Sequence, residues 1–164
     1  MKIRLNPCNG KSIDKAIEKL EQYKNRIARK ETEMLNRLSM LGASVASLGF
    51  RRAIYSGKND VNIRVEIVGN VATIYAEGEA VGFIEFGTGA RYGHGHPQNG
   101  EFGVGPGTWS TSADGKGHWD DPKGWWYGSG QHTYGNPPAM AMYGAVQTVA
   151  EQIATIAREV WSSD

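Results

Sequence analysis

Val61-Asn62-Ile63-Arg64-Val65-Glu66-Ile67-Val68-Gly69-Asn70-Val71-Ala72-Thr73-Ile74-Tyr75-Ala76 is the stretch on which the fold turns. Val61, Ile63, Val65 and Ile67 alternate with Asn62, Arg64, Glu66 and Val68, the period of a strand with one buried face. Gly69-Asn70 supplies turn residues, and Val71 to Ala76 resumes the β pattern, so the segment predicts an antiparallel hairpin. Gly78 closes it. Ala80-Val81-Gly82-Phe83-Ile84-Glu85-Phe86 then forms a short apolar element whose periodicity fits a strand or a helical turn equally well.

On the N-terminal side, Ser12 is read as the cap of a helix. Its apolar residues recur as Ile13, Ile17, Leu20, Ile27, Met34, Leu38, Leu41, Val45 and Leu48, in steps of three, four or seven. Charged residues such as Lys15, Glu18, Lys19, Lys24, Arg29 and Glu33 fill the opposite side. The helical region, 12–56, is far longer than the globular mean of about 11 to 12 residues. The helix is therefore expected either to break near Gly42 or Gly49 or to pack against a neighbouring subunit. Burial in the chain's own core is weighed ahead of a coiled coil, which needs purer heptads.

On the C-terminal side, Asn136 as cap and Pro137 at the first helical position predict a second helix over 136–161. Its stripe is Met142, Val146, Val149, Ile153, Ile156 and Val160. Ala139, Ala141, Gly144, Ala145, Ala150, Ala154 and Ala157 keep much of the remaining surface small, which lets another helix or a sheet approach closely. Two helices laid on a small antiparallel sheet, with a long Gly- and Trp-rich loop, make an α+β layer domain.

Composition bounds the rest. The 164 residues, 40% hydrophobic and 21% charged, suit one domain spanning 1–164, divided as a helical region, a hairpin with its apolar element (61–86), an extended loop (87–135) and the last helix. A formal net charge of +1 leaves no global field to draw the chain onto nucleic acid or an anionic membrane. The lone Cys8 excludes an internal disulfide, and no apolar run approaches the roughly 18 to 20 residues of a membrane span, so a soluble product of a reducing cytoplasm is expected.

Segment 87–135 is too long for an ordinary connection and is expected to carry a binding or assembly surface. It holds all four histidines. His94 and His96, with His118 or His132 and a carboxylate from Asp114, Asp120 or Asp121, could make a zinc site, but no paired ligands on a rigid element support it, and no cofactor is expected. Glu85 with Asp120 or Asp121 could be an acid/base pair, yet sequence separation says nothing about their distance, and a charge tying down loop backbone is preferred for Glu85. Gly100 to Gly107 lacks the Lys-Ser/Thr ending of a phosphate loop. Trp109, Trp119, Trp125, Trp126 and Tyr127 are too apolar to stay bare, so they either form a satellite core or dock on partners.

Phe83-Ile84-Glu85-Phe86-Gly87-Thr88-Gly89 resembles the Val-Glu-Phe-Gly-Thr signature of the neck and minor tail-component proteins of long-tailed bacteriophages, the head-to-tail joining or tail completion proteins. The order of elements is similar too. Gly124-Trp125-Trp126-Tyr127 looks like that family's loop element, and Gly135-Asn136-Pro137-Pro138-Ala139-Met140 like its helix entry, where the family more often has Pro-x-Pro-Phe. The resemblance implies a non-enzymatic virion protein, made in the host bacterial cytoplasm. Its subunits would form a homo-oligomeric ring, a hexamer ahead of a dodecamer, at the head–tail junction or tail end. Partners would be tail tube, tail terminator or head-completion proteins, with DNA only passing through the lumen and no membrane. Glu85, Phe86, Gly87, Thr88 and Gly89 are then read as a packed structural corner, and Trp109, Trp119, Trp125, Trp126, Tyr127, Pro137 and Pro138 as interface. A small zinc-dependent hydrolase using the loop histidines and a glycan-binding module remain as alternatives.

Overall fold

The computed structural model describes residues 6–98, 121–127 and 130–162. Helix α1 spans Gly10–Arg52, strands β1 and β2 are Asn62–Val68 and Val71–Glu77, and short helices α2 and α3 are Val81–Phe86 and Gly89–Tyr92. A second small hairpin follows, β3 (Trp125–Tyr127) and β4 (Gln131–Thr133), and the last helix, α4, is Ala141–Ser162. The architecture is α+β, with two long helices and two separate two-stranded antiparallel sheets among the described residues. Among the described residues no helix is long and apolar enough to cross a membrane.

The first hairpin has the register its alternation predicts. Val65 lies opposite Ile74 and Val68 opposite Val71, leaving Gly69 and Asn70 as the turn. Ile63, Val65 and Ile67 share a face with Ala76, Ile74 and Ala72, and this face lies toward α1, as the contact of Ile74 with Gly42 shows. On the other face, Arg64 bridges Glu66 and Glu77 and lies 4.2 Å above the Tyr75 ring. A lone two-stranded hairpin is marginal in water, so α1 is what stabilises it.

Helix α1 does not break. It runs continuously for 43 residues through Gly42 and Gly49, because both glycines serve close packing instead of a turn. A Cβ on Gly49 would stand 2.7 Å from the Ala141 Cβ, and one on Gly42 would stand 2.6 Å from Ile74 Cδ1 and 3.1 Å from Val149 Cγ2. At Gly42, sheet, α1 and α4 therefore meet with no room for a side chain. Small residues also decide which face is buried. Ser39, Gly42, Ala46 and Phe50 lie innermost, whereas Leu48 of the predicted stripe is 46% exposed.

The start of each long helix differs from expectation. Asn9, not Ser12, occupies the cap position of α1, and the Ser12 hydroxyl accepts the Asn6 amide hydrogen instead. Helix α4 begins at Ala141, five residues after Asn136. The residue before a proline is pushed toward extended backbone, which applies to both Asn136 and Pro137 and delays the helix. The predicted α4 stripe divides: Ile156 and Val160 are buried, while Val146 and Ile153 face outward. The segment 87–135 is also less irregular than expected, since α3, β3 and β4 lie within it.

The innermost cluster is Phe50, Ala80, Ile84 and Ala141, joining α1, α2 and α4. Tyr55, Val61, Ile63 and Met142 pack around it. Burial of side chains such as Phe50 and Ile84 contributes roughly 1.5–3 kcal/mol each, which fixes α2 against the two long helices.

Candidate functional site

Helix α2 ends at Gly87, with φ +75°, and its ideal Cβ would lie 2.8 Å from both Asn136 O and Pro138 N. Only a residue without a side chain fits this bend. The bend brings Thr88 onto Asn136. The Thr88 amide donates to Asn136 O at 2.9 Å, and the Asn136 amide donates to the Thr88 hydroxyl at 2.9 Å. The Asn136 side chain completes the clasp, its Nδ2 donating to the same hydroxyl and its Oδ1 accepting the Ser56 amide hydrogen. Both residues are buried. The motif at one end of the long segment and the helix entry at the other are thus a single structure, which fastens the ends of 87–135 together.

Glu85 extends this corner into α4. Its Oε2 accepts the Met142 amide hydrogen and its Oε1 the Tyr143 amide hydrogen, each at 2.9 Å. Backbone from the same turn also pairs, as the Ala139 amide donates to Ile84 O and the Met140 amide to Glu85 O. The first turn of a helix has unpaired N–H groups and a positive dipole end, both of which a carboxylate satisfies. Glu85 therefore serves as the cap that Asn136 was expected to be, supplied from α2. At the far end of α4, the buried Lys30 donates through Nζ to the Trp161 carbonyl, placing a positive charge at the negative end of the dipole.

His96 closes the site from below. Its ring is buried, 4.5 Å from Phe86 and 5.6 Å from Tyr143 between centroids. Nδ1 accepts the Gln98 amide hydrogen, which leaves Nε2 to carry the proton facing Glu85 Oε1 at 3.3 Å. With its lone pair engaged in this way, His96 offers no free ligand atom. His94 is exposed, and His132 sits between Trp126 and Tyr134. Among the described residues no group of three or more His, Cys, Asp or Glu is arranged to hold a metal. His118, Asp114, Asp120 and the glycine run 100–107 lie outside the described residues, as do Trp109 and Trp119. Asp121 accepts the Lys123 amide hydrogen in a local turn.

The remaining aromatic residues separate by environment. Trp125 is buried, and its ring edge fills the space where a Cβ on Gly89, at φ +80°, would stand. Beside it lies a cavity of about 150 Å³ bordered by Tyr55, Phe83, Thr88, Thr133 and Asn136. Trp126 is 48% exposed and meets His132 edge-on at 4.8 Å; His132 in turn meets the exposed Tyr134 at 4.9 Å. Tyr127 lies in β3. Pro138 packs under Gly87 and Gly95.

Chemically, the corner presents carboxylate, imidazole, hydroxyl and amide groups paired with one another, an arrangement that fixes backbone in place. Sequence reading finds Glu85, Gly87 and Thr88 but misses His96 and Lys30 as parts of the frame. The one signal for Lys30 is its spacing, three residues after Ile27 and four before Met34, which sets a lysine on the apolar stripe of the helix. Compared with known proteins, the chain matches no family model, no curated protein and no solved structure.

Proposed function

We propose that this chain is a structural subunit of a long-tailed phage or tail-like particle, assembling as a homo-oligomeric ring at the head–tail junction or the tail end. The observation that carries the reading is the clasp. The two sequence elements that bear the resemblance, Glu85 to Thr88 and Asn136 to Pro138, meet in one buried corner held by Thr88 and Asn136. A motif spent on backbone fixation fits an architectural protein, in which a loop must be presented at a fixed place on a rigid body. The surface supports the same reading. Ile17, Leu20, Val146, Ile153 and Trp161 are between 44% and 62% exposed, apolar side chains that a neighbouring subunit would cover. Neighbours would be tail tube, terminator or head-completion proteins, with DNA passing through the lumen.

Light scattering coupled to size exclusion, with negative-stain microscopy, tests it. Closed rings, or restoration of tail joining when the protein is added to particles lacking it, is the expected outcome. A chain that neither multimerises nor joins tails overturns the reading. A second reading, a glycan-binding module, has one observation in its favour, the exposed aromatic row of Trp126, His132 and Tyr134. Saturable quenching of tryptophan fluorescence by oligosaccharide in a monomeric sample would select it.

A further inference from the structure

Among the described residues, Trp125 Nε1 is the buried side-chain polar atom left without a hydrogen-bond partner. The residue is only 3% exposed. A buried indole N–H usually finds an acceptor, so one that has none calls for an explanation. The Cζ3 and Cη2 edge of the ring fills the space beside Gly89, and Nε1 belongs to the opposite edge. Trp125 also forms part of the wall of the cavity next to the Thr88–Asn136 clasp.

A second donor on that wall is uncommitted. Thr88 Oγ1 accepts from both Asn136 N and Asn136 Nδ2, so the hydroxyl's own hydrogen is what it has left to offer. The Asn136 side-chain oxygen is already engaged, since it accepts the Ser56 amide hydrogen. Tyr55, Phe83 and Trp125 supply aromatic wall, and no described lining residue carries a charge. Thr88, Trp125 and Asn136 are buried and form the floor, whereas Ser56 and Gly57 are exposed and mark the mouth.

These features define the chemistry of an occupant. Two donors that lack an acceptor call for an oxygen with two lone pairs, which a carbonyl has. Uncharged aromatic walls call for a neutral and largely apolar body. A cavity of about 150 Å³ accommodates a molecule of benzene's size, so that body is about one six-membered ring. We propose that the cavity binds a small neutral ring compound through its carbonyl oxygen, which accepts from Trp125 Nε1 and Thr88 Oγ1. The site is independent of the ring assembly proposed above. Because both clasp residues stand in its wall, the bound compound stabilises the corner by mass action.

The test titrates the full chain, labelled with nitrogen-15, with 2-pyridone and, for comparison, with benzene, which has the size but no acceptor. The indole N–H resonance of Trp125, assigned by triple-resonance spectroscopy, should shift saturably with 2-pyridone, with a dissociation constant on the order of millimolar. Benzene should bind about tenfold more weakly, having no oxygen for the two donors. Trp125→Phe keeps an aromatic ring and loses one donor, so it should bind 2-pyridone about fivefold more weakly, read from the rise in melting temperature that the compound produces. Where that variant does not fold, the comparison with benzene on the wild type decides. A Trp125 resonance that 2-pyridone leaves unmoved means that water or the chain itself fills the cavity, and overturns the site. Equal affinity for benzene removes the two donors from it and overturns it as well. A shift produced by raising the protein concentration alone assigns the cavity to a second copy, which also refutes a small-molecule site.

Discussion

Glu85 accepts the Met142 amide hydrogen at 2.9 Å from 57 residues earlier in the chain. A helix end is thereby capped by another element, so the bond couples the position of α2 to the start of α4. Because Oε1 also receives the Tyr143 amide and faces His96, three donors depend on one carboxylate.

Glu85→Ala should therefore destabilise the protein by about 2–4 kcal/mol, combining a lost cap with buried donors left unpaired. Glu85→Gln, with an acceptor at only one end of its amide, should fall between that variant and the wild type. Urea denaturation followed by circular dichroism measures both. An alanine variant as stable as the wild type would show that the carboxylate contributes nothing to holding α4.

Gly87 and Gly144 should respond in opposite directions. Gly87→Val places a side chain at φ +75° against the backbone of Asn136 and Pro138, so it should abolish the folded corner and, with it, assembly. Gly144 lies in α4 with nothing within 4 Å of an added Cβ, and Gly144→Ala should stabilise by about 0.5–1 kcal/mol through helix propensity. Thermal melts of the two variants check the pair. A Gly87→Val protein that melts with the wild type and forms intact assemblies would refute the corner.

Asp60 gives the protein a pH dependence of known sign. Its carboxylate accepts the Ala80 and Glu79 amide hydrogens, each at 2.9 Å, and these bonds, with a smaller contribution from Lys58, hold its pKa below the ordinary value. A group depressed on folding stabilises the protein fully above its unfolded pKa, about 3.9. That contribution disappears as the pH falls through the folded value. Asp60→Asn should accordingly lower the urea midpoint at pH 7, and the gap between variant and wild type should narrow below about pH 4. An equal gap at pH 7 and pH 3 would exclude this role.

The hairpin was legible because its information is local: alternation sets the face and Gly69-Asn70 sets the register. The long helices were legible as elements for the same reason. Their buried faces were not, because Ser39, Gly42 and Ala46 pack by being small, while periodicity weights residues by hydrophobicity. Ile13, Ile17 and Leu20, and the outward Val146 and Ile153, are apolar at helical spacing yet exposed. Apolar spacing reports that a face needs cover and does not report which molecule supplies it.

Asn136 shows the same limit at a single residue. An Asn before Pro is a reasonable helix cap, but two successive prolines extend the backbone, and its side chain turns to Thr88 and Ser56 instead. By itself the sequence determined the α+β class, the hairpin register and the glycine at the end of α2, since each depends on neighbours along the chain. Only the tertiary structure decided that Glu85 caps α4, that His96 and Lys30 belong to its frame, and that Thr88 and Asn136 clasp across 48 residues. Those pairings depend on distances through space, which spacing along the chain does not encode.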